Sequence, residues 1–371
     1  MKEKNTAIKK QEEAFNFLKD KIFITNNFKI LMKKINVIVV GCTGYIGIEL
    51  IKILINHKYV SIINICGNTS VGKNLSSYDR SLKNYKLPRI KKFSSKMLND
   101  IDIVFTALPN GGSQKISKKI KNKKIILIDL SADFRLKNYL DYETSYKIKH
   151  LSKDLLKKSI YSIPEIKKEE IKKFNIIASP GCYPTSILLP LLPLISKNLI
   201  KKKNIIIDSK SGYSGAGRSI HKKFKNKNLY ESISAYGISN HRHNPEIQQE
   251  FKKQSGKNVE FTFTPHLSPM FRGILSTIYI DINKNSSMYK IVGCLNKYYK
   301  DSMFVKIDQN KLISTNDIIN TNYCFISVLK SKFKNKLIIL SALDNLIKGG
   351  AGQAVQSMNI RMGFNEYESL L

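Results

Sequence analysis

The stretch "ASPGCYPTS", residues 178–186, sets a cysteine between Pro-Gly and Tyr-Pro, directly before the apolar run "ILLPLLPLI". A structural cysteine is normally flanked by the residues it packs against, whereas Cys182 falls in a turn. A thiol attacks as thiolate, and the N-terminus of a helix favours that ionised form. Pro184 suits the first turn of such a helix, where its missing N–H would have no partner anyway. The expectation is a nucleophilic Cys182 at a helix start, with a depressed pKa. Such a nucleophile needs a base close in space, though not in sequence. "YGISNHRHNPEI", residues 236–247, offers His241 and His243 with Arg242 between them and Glu246 three residues beyond His243. These types fit proton transfer by a histidine, anion binding by Arg242 and orientation of the histidine by Glu246. His-x-His also occurs in metal sites, but no third and fourth ligand stand at a workable spacing, and no metal is expected.

A second constellation is Gly41, Gly44 and Gly47 in "GCTGYIG", between a strand pattern and a helix pattern. Glycines there let the backbone approach a pyrophosphate and aim N–H groups at it, which predicts a dinucleotide site rather than a plain tight turn. A carboxylate at the end of the second strand usually accepts from the ribose 2′-hydroxyl of NAD. Here the segment reads "CGNTSVGK" and has none. Thr69, Ser70 and Lys73 are donors suited to a 2′-phosphate, so NADP is expected in preference to NAD, with use of both as the plainer alternative. "SGYSGAGRS" (211–219) adds backbone donors and Arg218 for an anion. His266 and Arg272 in "FTPHLSPMFRGIL" (263–275) read equally well as ordinary surface.

These residues need a frame. Residues 35–40 form a β-branched run that reads as a buried strand, followed by the glycine turn, by "IELIKILINH" with helical spacing, and by a second strand in "SIINICG". Further short apolar strands recur at 102–109 and 123–131, which predicts a doubly wound parallel sheet of Rossmann type. Beyond Cys182 the texture changes. Val259, Phe261 and Phe263, and later Ile278, Ile280 and Ile282, alternate with polar residues, the period of an antiparallel sheet in an α+β domain. Residues 32–181 with 345–371 are expected to form the NADP-binding domain and 182–344 the catalytic and oligomerisation domain. Residues 1–31, polar and lysine-rich, are expected to be a dispensable extension or an upstream misassigned start.

The totals narrow the classes. A chain of 371 residues suits two domains. Lys+Arg 63 against Asp+Glu 28 gives +35, which points to a polyanion partner. The lysines are spread end to end without a stripe of interleaved aromatics, so specific nucleic-acid binding is not expected. The five cysteines are odd in number and unpaired by spacing, which argues against disulfides and zinc. No run is apolar for long enough to span a membrane, and no secretory signal opens the chain. A cytoplasmic protein is expected.

Taken in order, "GCTGYIGIEL", "IDLSADFRL", "ASPGCYPTS", "SGYSGAGRS", "HRHNPEI", "FTPHLSPMFRGIL" and "DNLIKGGAGQAVQSMNI" resemble the N-acetyl-γ-glutamyl-phosphate reductase family, from about Met32 to the C-terminus. The family's form with an arginine after the second strand is not the one seen here. The resemblance implies NADPH-dependent reduction of an N-acetyl-glutamyl phosphate through a Cys182 thioester, a step of arginine biosynthesis. It implies His243, or His241 if the geometry runs the other way, as acid–base group, with Arg242, Arg218 and Tyr236 toward the substrate. It places Thr43, Tyr45, Ile46, Ser214 and Gly215 in the cofactor site, and returns the C-terminal segment to the first domain so that Asn345 and Gly349 lie near the nicotinamide. It also implies a homodimer or homotetramer. The rival readings are an aspartate-semialdehyde dehydrogenase and a basic RNA-binding protein on a dehydrogenase scaffold.

Overall fold

The computed structural model describes residues 34–121, 124–218 and 231–371; the expected extension at 1–31 lies outside them. The first sheet is built from β1 (Ile35–Val40), β2 (Val60–Cys66), β3 (Ile103–Thr106), β4 (Ile126–Asp129), β5 (Ser159–Tyr161) and β6 (Ile176–Ala178). Its strands run in the order β2-β1-β3-β4-β6-β5 and every pairing is parallel. Parallel sheets are covered on both faces, which is why β1 is apolar throughout. Val37 and Val39 pack to one side among Leu50, Ile51 and Leu54 of the Tyr45–Ile55 helix. Ile38 and Val40 pack to the other among Ile116 and Ile120 of the Gly112–Ile120 helix.

The second sheet comprises β7 (Ile205–Gly212), β8 (Ser234–Ala235), β9 (Phe261–Ser268), β10 (Ile274–Asp281), β11 (Val305–Gln309), β12 (Cys324–Lys330) and β13 (Lys336–Leu343), in the order β11-β12-β13-β10-β7-β9-β8. The alternation predicted an antiparallel sheet; the sheet is mixed, because β7 pairs with β9 and β11 with β12 in parallel. Alternation reports one covered face, not strand direction, so this was beyond its reach. The covering element is the Cys182–Ser196 helix, whose residues Tyr183–Ile195 are all buried. Its apolar circumference explains that: it packs against the sheet and against the Asn244–Ser255 and Met288–Tyr298 helices. Pro193 cannot donate to the carbonyl of Leu189, and the Tyr299 hydroxyl donates to that oxygen instead, at 2.6 Å.

The chain returns to the first sheet at its end. Ala354, Val355 and Met358 of the Gly352–Met362 helix share a core with Val37 and Leu50. The Ile347–Ala351 turn, a single wide helical turn, carries Lys348, which is wholly buried and ion-paired with the equally buried Glu165. The Lys348 ammonium also donates to Gln356 Oε1 at 2.8 Å. Removing one member of such a pair strands the other charge away from water. Lys348→Ala is expected to lower the unfolding free energy by about 3–5 kcal/mol, read from the urea midpoint. A loss below about 1 kcal/mol, the range of an exposed pair, would contradict this placement.

Candidate active site

The site lies at the carboxyl ends of the first sheet's strands, where open α/β folds bind ligands. Gly41, just beyond β1, has φ +94°, and a Cβ there would stand 2.2 Å from the carbonyl oxygen of Ala107. A Cβ on Gly47 would stand equally close to Gly41 O, at 2.2 Å. Gly44 is the N-cap of the Tyr45–Ile55 helix, with no side-chain hydrogen bond capping its first turn. This is a cradle only backbone can form, with a helix N-terminus aimed into it, and it fits a dinucleotide pyrophosphate. Arg218 covers it. Its Nε donates to Thr43 O at 2.8 Å and its guanidinium lies 4.5 Å from the Tyr45 ring centre. Arg218, expected toward the substrate, rests on the glycine turn through its Nε.

Cys182 opens its helix as expected, with Gly181 as N-cap. A Cβ on Gly349 would stand 2.7 Å from Cys182 Cβ, and one on Gly350 would stand 3.6 Å from Ile46 side-chain carbons. The Ile347–Ala351 turn thus touches both the cysteine and the dinucleotide cradle. Asn345 braces it: its Nδ2 donates to Ser214 Oγ at 2.9 Å and its Oδ1 accepts from Gly273 N at 2.7 Å. A Cβ on Gly215 would lie 3.4 Å from the same Asn345 Nδ2. Arg272 adds a bridge from Glu49 (2.9 Å), on the helix behind the glycine turn, to Asp344 (3.2 Å). His266 lies inside β9, its carbonyl accepting from the Tyr183 hydroxyl at 3.0 Å and its Nδ1 3.0 Å from Asp208 Oδ1.

The histidines divide. His243 is the N-cap residue of the Asn244–Ser255 helix, and its Nε2 lies 2.6 Å from where a Gly181 Cβ would be, hard against the turn that carries Cys182. His241 packs between Tyr183, Tyr236 and Phe263, and its Nδ1 accepts the backbone N–H of His243 at 3.1 Å. Burial, reinforced by the Arg242 charge, pushes His241 down to about 4. Burial, then His241 and two arginines, drives His243 well below the ordinary imidazole range, so it rests neutral. Tyr236 leans over Tyr183 with the two hydroxyls 3.4 Å apart.

Two expectations do not hold. Glu246 does not orient a histidine. Its Oε1 accepts from Gly181 N and from the Tyr161 hydroxyl, both at 2.7 Å, and its Oε2 takes Arg135 Nη1 at 3.3 Å. Three residues into a helix, its side chain points across the domain boundary rather than back at His243. The second correction concerns the thiol. The protein enclosing Cys182 raises its pKa, and the Tyr183 N–H, Arg135 and Arg242 pull it down by less. The helix start favours thiolate, but desolvation is the larger effect. Ser70 is also turned inward, buried with its hydroxyl against Gly67, while Thr69 and Lys73 stay exposed. Among the described residues no cluster of three or more His, Cys, Asp or Glu could hold a metal.

Arg135, absent from the expected site, makes three side-chain hydrogen bonds there. Nε donates to Ser179 O at 2.8 Å and Nη2 to Leu130 O at 3.2 Å, while Nη1 meets Glu246. A signal existed. Of 63 cationic residues only seven are arginine: Arg80, Arg89, Arg135, Arg218, Arg242, Arg272 and Arg361. In a chain that uses lysine almost everywhere else, those positions mark where a planar fork of donors is needed.

Fold and site together define a dinucleotide-binding enzyme of semialdehyde dehydrogenase type. Residues 36–174 match the family model described as semialdehyde dehydrogenase, NAD binding domain, and residues 182–345 the one described as semialdehyde dehydrogenase, dimerisation domain. Aspartate semialdehyde dehydrogenase II of Vibrio cholerae has the same fold at 16% identity, with a TM-score of 0.68 over 89% of this chain and 99% of that one. The N-acetyl-gamma-glutamyl-phosphate reductase of Ehrlichia ruminantium (strain Gardel) is 45% identical over 340 residues, 91% of this chain and 98% of that protein. The probable chloroplastic N-acetyl-gamma-glutamyl-phosphate reductase of Arabidopsis thaliana is 40% identical over 344 residues, 91% of this chain and 84% of that one. The chain belongs to the N-acetyl-gamma-glutamyl-phosphate reductase family of semialdehyde dehydrogenases.

If Glu246 positions the Cys182 turn rather than relaying protons, Glu246→Ala will lower kcat by about 10²-fold, the cost of a displaced reacting group, and leave the pH–rate midpoints where they were. A moved midpoint would return Glu246 to the proton pathway.

Proposed function

We propose that this chain reduces N-acetyl-L-glutamyl 5-phosphate to N-acetyl-L-glutamate 5-semialdehyde and phosphate, a step of arginine biosynthesis, with NADPH as reductant. The observation that carries the reading is Cys182 at the head of a buried helix, between the Ile347–Ala351 turn and the Gly181 contact of His243, in a chain 45% identical to a named reductase.

The neutral His243 imidazole takes the proton of Cys182 as the sulfur attacks the acyl carbon. A C–S bond forms, the acyl C–O bond breaks, and the departing phosphate carries the proton away from His243. His243 lies against the Cys182 turn while His241 holds its backbone, which supports His243 as the acid–base group. Arg242 remains exposed beside the thiol and meets the carboxylate or phosphate of the substrate. Tyr236 lines the same recess. The Gly41–Gly47 cradle would hold the dinucleotide, whose chemistry there would be hydride donation. The C–S bond then breaks as the aldehyde forms, and the sulfur regains a proton through His243. Splitting the reduction in two lowers each barrier.

A homo-oligomer of two or four chains is part of the proposal. What supports it, besides the dimerisation-domain match, is the uncovered face of the second sheet, where Ile206 and Tyr279 sit opposite each other at 48% and 41% exposure. A cytoplasmic setting is also proposed, supported by five free cysteines.

The test is NADP reduction with N-acetyl-glutamate semialdehyde and phosphate. Cys182→Ser is expected to abolish turnover and spare NADPH binding. His243→Asn is expected to cost about 10²–10⁴ in rate, and more than His241→Asn. A Cys182→Ser enzyme that still turns over removes the nucleophile, and activity confined to aspartate semialdehyde transfers the chain to the sibling substrate.

A further inference from the structure

Residues 67–73, which follow β2, form a loop closed at its base by a segment from further along the chain. Gly67 N donates to Lys91 O at 3.0 Å, Lys91 N to Ile65 O at 3.1 Å, Gly72 N to Ile90 O at 2.8 Å and Ile90 N to Lys73 O at 3.0 Å. Residues 89–91 are thereby fastened to the strand end where an adenosine ribose lies in this fold. Arg89, exposed, donates from Nη1 to Gly72 O at 3.2 Å, which leaves the rest of its fork free. Lys91 turns back along the strand to Asn64 Oδ1 at 3.3 Å. Among the described residues no carboxylate lies within ion-pair distance of Lys73, Arg89 or Lys91. The site is therefore cationic, unpaired and built on ordered backbone. Arg89 is one of only seven arginines in a lysine-dominated chain. With Ser70 buried, the loop's own donors reduce to Thr69 and Lys73.

We infer that Arg89 determines cofactor specificity: its guanidinium, held over the loop after β2 beside Lys73, binds the ribose 2′-phosphate of the dinucleotide. The inference rests on the NADPH reading above. A guanidinium is suited to the task because two parallel N–H groups match two phosphate oxygens. A single backbone acceptor fixes its direction without neutralising it.

Equilibrium titration of the full chain with NADPH and with NADH, followed by nicotinamide fluorescence, tests this without turnover. The unsubstituted chain is expected to bind NADPH the more tightly. Arg89→Ala is expected to raise the NADPH Kd about 10- to 100-fold and to leave the NADH Kd within about twofold, with Arg89→Lys in between. In competition, 2′,5′-ADP is expected to lose affinity in Arg89→Ala and 5′-ADP to keep it. An unchanged NADPH Kd in Arg89→Ala, an equal loss for NADH, or a greater loss in Lys73→Ala than in Arg89→Ala overturns the assignment. Equal Kd values for both nucleotides in the unsubstituted chain overturn the NADPH reading itself.

Discussion

One buried ion pair fixes the geometry on which the chemistry depends. Arg135 rises from the end of the first sheet and gathers the carbonyls of Leu130 and Ser179. Glu246, on a helix of the second domain, meets it and accepts the N–H of Gly181. The turn that presents Cys182 is therefore clamped by a carboxylate from across the domain boundary. Burying both charges is expensive, and only further hydrogen bonds make such an arrangement tenable: here the Tyr161 hydroxyl donates to Glu246 and two backbone carbonyls accept from Arg135. Its yield is placement rather than stability: the thiol, the imidazole behind Gly181 and the Gly349 turn are all referenced to the same point.

That clamp also shapes the electrostatics. Enclosing the thiol favours its neutral form and enclosing the imidazole favours its neutral form too. In the proposed mechanism the pair starts neutral rather than as thiolate and imidazolium. Arg135 and Arg242 oppose the desolvation of Cys182 and define where developing negative charge is tolerated.

Much of the frame was legible in the residues. The β-branched run before "GCTGYIG" and the apolar helix after Cys182 follow from period and glycine placement. Strand direction in the second sheet was not, since alternation is blind to it. At the site, sequence proximity misled: Glu246 stands three residues from His243 but its side chain faces Gly181 and Arg135. Local reasoning likewise overvalued the helix start at Cys182, because burial is a property of everything packed around it. Arg218, expected toward the substrate, lies against the glycine turn of the other domain, a contact no local pattern announces. Gly349 was placed near the cofactor through family likeness, but its contact with Cys182 Cβ has no sequence signal. Arg135 has one, in the scarcity of arginine.

The central claim is that Cys182 becomes covalently acylated in a pocket set by this clamp. The most direct measurement mixes the protein with N-acetyl-glutamate semialdehyde and NADP while leaving phosphate out, then quenches and maps the acyl group. The account predicts a burst of one NADPH per chain that stops there, with the N-acetylglutamyl group on Cys182. No burst from an enzyme that turns over once phosphate is added, or an acyl group on any other residue, would contradict it.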